Sequence, residues 1–183
     1  TPHDLFKIGH TSTSISLALG LAKARDIMDG KENIIAVIGD GSMSGGEALE
    51  GLNVAGELNS NFIIVFNDNQ MSIAENHGGM YDQFAELRRT NGAAENNLFK
   101  SMGLDYLYVN DGNDIEALIA AFEQVKDSTH PVVVHINTLK GKGYAPAEAN
   151  KEKWHWHMPF DIQTGQSPAS GSSESYASIF AEY

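Results

Sequence analysis

Asn33-Ile34-Ile35-Ala36-Val37-Ile38-Gly39-Asp40-Gly41-Ser42 and Asn61-Phe62-Ile63-Ile64-Val65-Phe66-Asn67-Asp68-Asn69 decide the fold. Each opens with a continuous apolar run, the pattern of a strand covered on both faces by helices in a parallel sheet. Between them, Ser44 to Leu58 repeats Ala48, Leu49, Leu52 and Ala55 at helical spacing. Strand, helix, strand is a βαβ unit with a right-handed crossover. The alternation continues outward. Ser14 to Met28 carries Ile15, Leu19, Ala22 and Ile27 as a helix. Asp105 to Val109 is a weaker strand, and Asp114 to Val125 a helix through Ile115, Leu118, Ala121, Phe122 and Val125. Pro131 to Ile136 is a third strong strand, with proline tolerated at its start. The expected fold class is α/β, a doubly wound, mostly parallel sheet. Residues 71–100 are polar and mixed and read as loop plus irregular helix.

The whole chain of 183 residues fits one ordinary domain with a core of its own. Hydrophobic residues at 42% and charged residues at 20% describe a globular protein rather than a disordered one. No apolar run approaches the ~20 residues that span a bilayer, and the N-terminus lacks a signal-peptide pattern. A net charge of −12 repels phosphodiester backbones and argues against nucleic acid as the main partner. Cysteine is absent, which excludes disulfides and thiolate sites and fits a cytoplasmic location. The organisation expected is a cofactor-binding domain over 1–162, a Gly/Ser-rich linker over 163–175, and the start of another element over 176–183.

The chemistry sits where the strands stop. The first strand ends in Gly39-Asp40-Gly41-Ser42 and the second in Asn67-Asp68-Asn69. In open parallel sheets ligands bind beyond the carboxyl ends of the strands. If these two strands lie close together, Asp40 and Asn69 project into one crevice. A carboxylate and an amide oxygen are hard donors suited to Mg²⁺ that also holds substrate phosphates. The glycines around Asp40 let the backbone approach a diphosphate, and the next helix offers N–H groups. Gly-Asp-Gly alone is more simply a turn, but the pair on successive strands is not.

These stretches resemble a known family. Gly9-His10-Thr11-Ser12-Thr13-Ser14, GDGSMSGGEALEGLN (39–53), NDNQMSIAEN (67–76) and KGKGYAPAE (140–148) look like the diphosphate-binding part of the 1-deoxy-D-xylulose-5-phosphate synthase family, transketolase-like thiamine-diphosphate enzymes. The tail KEKWHWHMPFD (151–161) resembles the segment before that family's interdomain linker. The resemblance implies a thiamine-diphosphate-binding fold, incomplete at its N-terminus in this chain. It implies a transferase that condenses a 2-oxo acid, pyruvate, with an aldehyde phosphate, glyceraldehyde 3-phosphate, losing CO₂ on a route to isoprenoids. By the same resemblance Asp40, Asn69 and the Met71 carbonyl ligate Mg²⁺. Gly9, His10, Thr11, Gly41, Ser42, Asn69 and Tyr144 contact thiamine diphosphate, and His10 and His155 are catalytic.

The family supplies a carboxylate for the cofactor's aminopyrimidine from another domain, and nothing here matches it. The chain alone is therefore expected to be inactive, working with the remaining domains or a partner subunit in a homodimer. A family insert before the DYLYV strand is expected to be shortened here, between Gly78 and Leu104. Two other readings are a transketolase-type ketol transfer and a non-catalytic cofactor-binding module. Simpler roles compete residue by residue. His10 could cap or pack at the helix start, His155 and His157 could anchor an aromatic loop with Trp156, and Tyr144 could be a packed loop residue. A zinc site at His155 and His157 lacks a third ligand in register.

Overall fold

The computed structural model describes residues 3–167 and 176–181. In chain order the elements are α1 (Ser14–Ile27), β1 (Ile35–Gly39), α2 (Asp40–Met43), α3 (Gly46–Ala55), β2 (Phe62–Asp68), α4 (Gly79–Arg89), α5 (Leu98–Ser101), β3 (Asp105–Val109), α6 (Ile115–Val125), β4 (Pro131–Asn137), α7 (Ala145–Ala149) and α8 (Tyr176–Ala181). The four strands form one sheet in the order β1-β2-β4-β3, with every neighbouring pair parallel. This is the helix-flanked parallel sheet that the apolar runs predict. Its strands therefore deliver Gly39-Asp40, Asp68-Asn69 and Asn137-Thr138 to the same end. The expected linker falls largely on residues 168–175, which lie outside the described residues. No helix among the described residues is long and apolar enough to cross a membrane.

Local chemistry sets several boundaries. The Asp114 side chain accepts the Glu116 N–H at 2.9 Å and starts α6. Asn97 starts α5 by accepting the Phe99 and Lys100 N–H groups. The helix expected over Ser44 to Leu58 is shorter and is preceded by one separate turn, α2, that carries Asp40. Residues 71–100 hold more order than their polarity indicates, since α4 is an eleven-residue helix. Met80, Tyr81, Phe84 and Leu87 give it one narrow apolar stripe, and its other positions are mostly polar.

The two faces of the sheet are unequal. Ala36, Ile38, Phe62, Ile64, Phe66 and Val133 pack under α1, α3, α4 and α5 in one large core. Ile63, Val65, Val132, Val134 and Ile136 pack under α6 in a smaller one. β2 and β4 are buried on both faces, as their continuous apolar runs predict. β1 is not: Ile35 and Val37 are 51% and 63% exposed. The reason is position, since β1 ends the sheet while α6 packs beside β3 at the other edge.

Phe66 stands at the centre of the larger core. Its ring centroid lies 4.8 Å from Phe84, 5.4 Å from Phe99 and 4.6 Å from His135. Phe66→Ala should destabilise the protein by about 3–5 kcal/mol in denaturant unfolding, from lost burial and the cavity left behind. A loss below ~1 kcal/mol would mean this aromatic cluster does not hold α4 to the sheet.

Candidate functional site

The register that pairs Gly39 with Asn67 brings the next two residues, Asp40 and Asp68, off adjacent strands side by side. Both are buried, at 2% and 0% exposure. Two buried carboxylates in contact repel each other, so their partners decide which one is charged.

Asp40 is under-satisfied. Its Oδ1 accepts the Gly41 N–H at 2.9 Å, while its Oδ2 is buried without a partner. Burial first, and then the charge of Asp68, push its carboxyl up to about 6. Asp68 is the opposite case. Arg88 pairs with its Oδ2, His135 Nε2 lies 2.9 Å from the same oxygen, and the Gln70 N–H donates to Oδ1 at 3.1 Å. Burial opposes its ionisation, but His135 and Arg88 outweigh burial and hold it below the usual carboxylate range.

Behind Asp68 the network closes on itself. Burial pushes His135 down, which keeps its ring neutral. The Tyr106 hydroxyl lies 2.7 Å from His135 Nδ1. Burial pushes Tyr106 up, so it remains a phenol and donates that bond. His135 then donates from Nε2–H to Asp68, the tautomer that satisfies both contacts.

The segment after β2 folds back over this pair. Gln70 takes a left-handed φ of 68°, and the Met71 N–H donates to Asn69 Oδ1 at 3.1 Å. Met71 bridges to Glu75, closing a small loop. A Cβ on Gly41 would lie 2.6 Å from the Ser72 Cβ, so only glycine lets this loop approach. Lys140 Nζ donates to the Ser72 carbonyl and lies 3.0 Å from His155 Nδ1. Asn76 Nδ2 is buried without a partner in the same loop.

These donors fit a small hard cation. A buried carboxylate oxygen without a partner is costly, and a divalent ion would relieve that cost. Asn69 Oδ1 keeps a second lone pair beside the Met71 N–H, and Met71 offers a backbone carbonyl. No group of three or more His, Cys, Asp or Glu placed to hold a metal ion by themselves occurs among the described residues. A cation here would rest on one carboxylate and neutral oxygens, the pattern of Mg²⁺ that shares its shell with phosphate.

Most of the other candidates line one of two hollows that share no lining residue, while Gly9 and His155 line neither. His10, Thr11 and Ser42 line a cavity of about 870 Å³ that runs along β1. Gly9, His10 and Thr11 are exposed. His10 does not cap α1. Its Nδ1 lies 3.0 Å from the Thr11 carbonyl, which leaves Nε2 without that contact. This loop is set by Ser12, at a left-handed φ of 72°, packed on Gly45, where a Cβ would come within 2.1 Å of Ser12 Oγ.

Asn69, Lys140 and Tyr144 line a smaller hollow of about 480 Å³. Tyr144 packs on Trp154 and Phe160 with its hydroxyl buried and unpartnered. His157 stacks on Trp154 at 4.4 Å, an anchoring role, while His155 stands exposed beside Lys140.

Sequence reasoning missed Asp68, Arg88, His135 and Tyr106. One signal was available: His135 interrupts the apolar run of β4, and a buried polar side chain needs a partner. Arg88 and Tyr106 carried no such mark.

Asp40 has a testable electrostatic consequence. Its folded value is raised above the ordinary carboxylate value near 3.9. Proton binding to Asp40 therefore stabilises the fold fully below pH ~4, and this contribution is lost as pH rises through about 6. With divalent ions chelated, Asp40→Asn should gain on the unsubstituted protein between pH 4 and 7, by on the order of 3 kcal/mol. A stability difference that stays flat across that range in denaturant unfolding would refute the raised value.

Comparison with known proteins identifies the family. The chain matches the family model described as 1-deoxy-D-xylulose-5-phosphate synthase over residues 1–95 and 88–138. It is similar to the 1-deoxy-D-xylulose-5-phosphate synthase of Syntrophotalea carbinolica, at 39% identity over 98% of this chain and 34% of that protein. Synthase 1 of Geobacter sulfurreducens is 40% identical over 98% of this chain and 34% of its own length. The synthase of Desulfitobacterium hafniense is 40% identical over 100% and 34%. The chain spans about a third of the length of the curated relatives it matches. The two matched segments meet at residues 88–95, inside the stretch expected to be shortened. Matched over most of its length, and carrying its strand-end motifs on adjacent parallel strands, the chain belongs to the 1-deoxy-D-xylulose-5-phosphate synthase family.

Proposed function

We propose that this chain is the diphosphate-binding part of a transferase that joins pyruvate to glyceraldehyde 3-phosphate. The products would be 1-deoxy-D-xylulose 5-phosphate and CO₂, with one proton taken up. The observation that carries this reading is the buried, unpartnered Asp40 Oδ2 beside the Asn69 turn, in a member of this family. It is the oxygen set that Mg²⁺ and a diphosphate call for.

When bound, thiamine diphosphate would supply the carbanion centre for attack on the 2-oxo acid, chemistry that belongs to the cofactor rather than to the protein. Asp40, Asn69 and the Met71 carbonyl would hold Mg²⁺. Gly41 and Ser42 would meet the diphosphate. In this structure the Gly41 N–H is engaged with Asp40 Oδ1, so Gly41 would have to release that bond for its N–H to meet the diphosphate. Gly9, His10 and Thr11 would lie along the cofactor, and His10 Nε2 is free to take or hold a proton at a substrate oxygen. Tyr144 would offer its unpartnered hydroxyl to the cofactor. His155, beside Lys140, would face the substrate's anionic groups. The remaining domains, or a second copy of the whole enzyme, would complete the site.

The test is CO₂ release from pyruvate by the complete protein with Mg²⁺ and thiamine diphosphate. Release should depend on glyceraldehyde 3-phosphate and yield the five-carbon ketose phosphate. Ketol transfer between sugar phosphates without CO₂ would favour a transketolase, and cofactor binding with no turnover a non-catalytic module. His10→Ala should lower kcat by roughly 10²-fold or more with little change in melting temperature. Equal losses of activity and stability would return His10 to a packing role.

A further inference from the structure

Asp68 belongs to no step above, yet it is the most completely held polar side chain at the site. Its Oδ2 takes both Arg88 and His135, and its Oδ1 takes the Gln70 N–H. That last bond matters most, because Gln70 sits at the left-handed turn between Asn69 and Met71. Left-handed φ in a non-glycine residue persists only where surrounding contacts hold it. The turn carries Asn69 and Met71, whose amide and carbonyl are the two neutral oxygens that the reading above assigns to the cation.

We propose that Arg88, acting through Asp68, is the positioning residue that locks the Asp68–Met71 turn and so places the Asn69 and Met71 oxygens opposite Asp40. This rests on the Mg²⁺-diphosphate reading above and extends it to residues that touch neither group. Arg88 reaches Asp68 from the last turn of α4, which is fastened to the sheet by Phe84 and Leu87. A two-point hold fixes a carboxylate's orientation as a single bond cannot. Arg88 and His135, the latter steadied by Tyr106, hold Oδ2 from two sides, and the Gln70 N–H holds Oδ1. Without Arg88, Oδ2 keeps His135 alone, and the carboxylate, held by one neutral donor at each oxygen, is free to pivot between His135 and the Gln70 N–H. The Gln70 anchor and the two oxygens would then move with it.

The experiment is a Mg²⁺ titration of the complete protein with saturating thiamine diphosphate, read by calorimetry. It is paired with the melting temperature in chelator. Arg88→Gln should weaken Mg²⁺ at least tenfold, and Arg88→Lys should recover much of that loss. Removing one member of a buried ion pair can also unfold a protein, so the double variant Asp68→Asn with Arg88→Gln is the decisive one. It leaves no unpaired charge at positions 68 and 88 and should melt close to the parent protein, yet still bind Mg²⁺ at least tenfold more weakly. Parent-like Mg²⁺ affinity in the double variant, or equal loss in Arg88→Lys and Arg88→Gln tracking their melting temperatures, overturns the proposal. If the parent protein binds no Mg²⁺ with the cofactor, the functional reading falls and this inference falls with it. If the parent binds and Arg88→Gln binds equally well, only this inference falls.

Discussion

Two carboxylates leave adjacent parallel strands at one height, almost without solvent, and the rest of the site is arranged around that fact. Side by side in a buried setting, Asp40 and Asp68 cannot both be charged without compensation. The fold resolves the conflict asymmetrically. Arg88 and His135 surround Asp68 and fix its charge, while Asp40 is left with one oxygen unmatched. The proposed cation site rests on this one oxygen that the protein itself leaves unmatched.

The sheet makes this possible because its strands are parallel and in register. One pairing, Gly39 with Asn67, brings together two motifs that lie far apart in the chain. The aromatic core below gives the arrangement its rigidity. Phe66, Phe84 and Phe99 pack around His135 on the face where α4 docks. Packing and electrostatics therefore share residues: the ring that helps fill the core also donates the hydrogen bond that orients Asp68.

Much of this was legible in the sequence, and the limits have physical reasons. Continuous apolar runs announced β2 and β4, and helical spacing announced α1, α3 and α6, because those patterns record burial directly. The same reading overstated β1, since an apolar run tells nothing of where a strand lies in the sheet. α4 was hidden because only a narrow stripe of it is apolar. At the site, motif and strand end pointed to Asp40 and Asn69, and the fold sets them at the ends of adjacent strands. Asp68 sat inside a quoted motif without a role, because its role depends on contacts from residues 88 and 135 that only folding brings near. His155 and His10 were named together, yet His10 lines the larger cavity with Ser42 and His155 lies against Lys140.

The central claim is that the β1 and β2 ends form one cation site shared with a diphosphate. The most direct measurement is a crystal structure of the complete protein with Mn²⁺ and thiamine diphosphate, located by the anomalous signal of manganese. Mn²⁺ favours the same oxygen ligands as Mg²⁺. The account predicts one manganese at about 2.2 Å from Asp40 Oδ2, Asn69 Oδ1 and the Met71 carbonyl, with diphosphate oxygens completing its shell. Manganese bound elsewhere, or a diphosphate lodged away from these three oxygens, would contradict it.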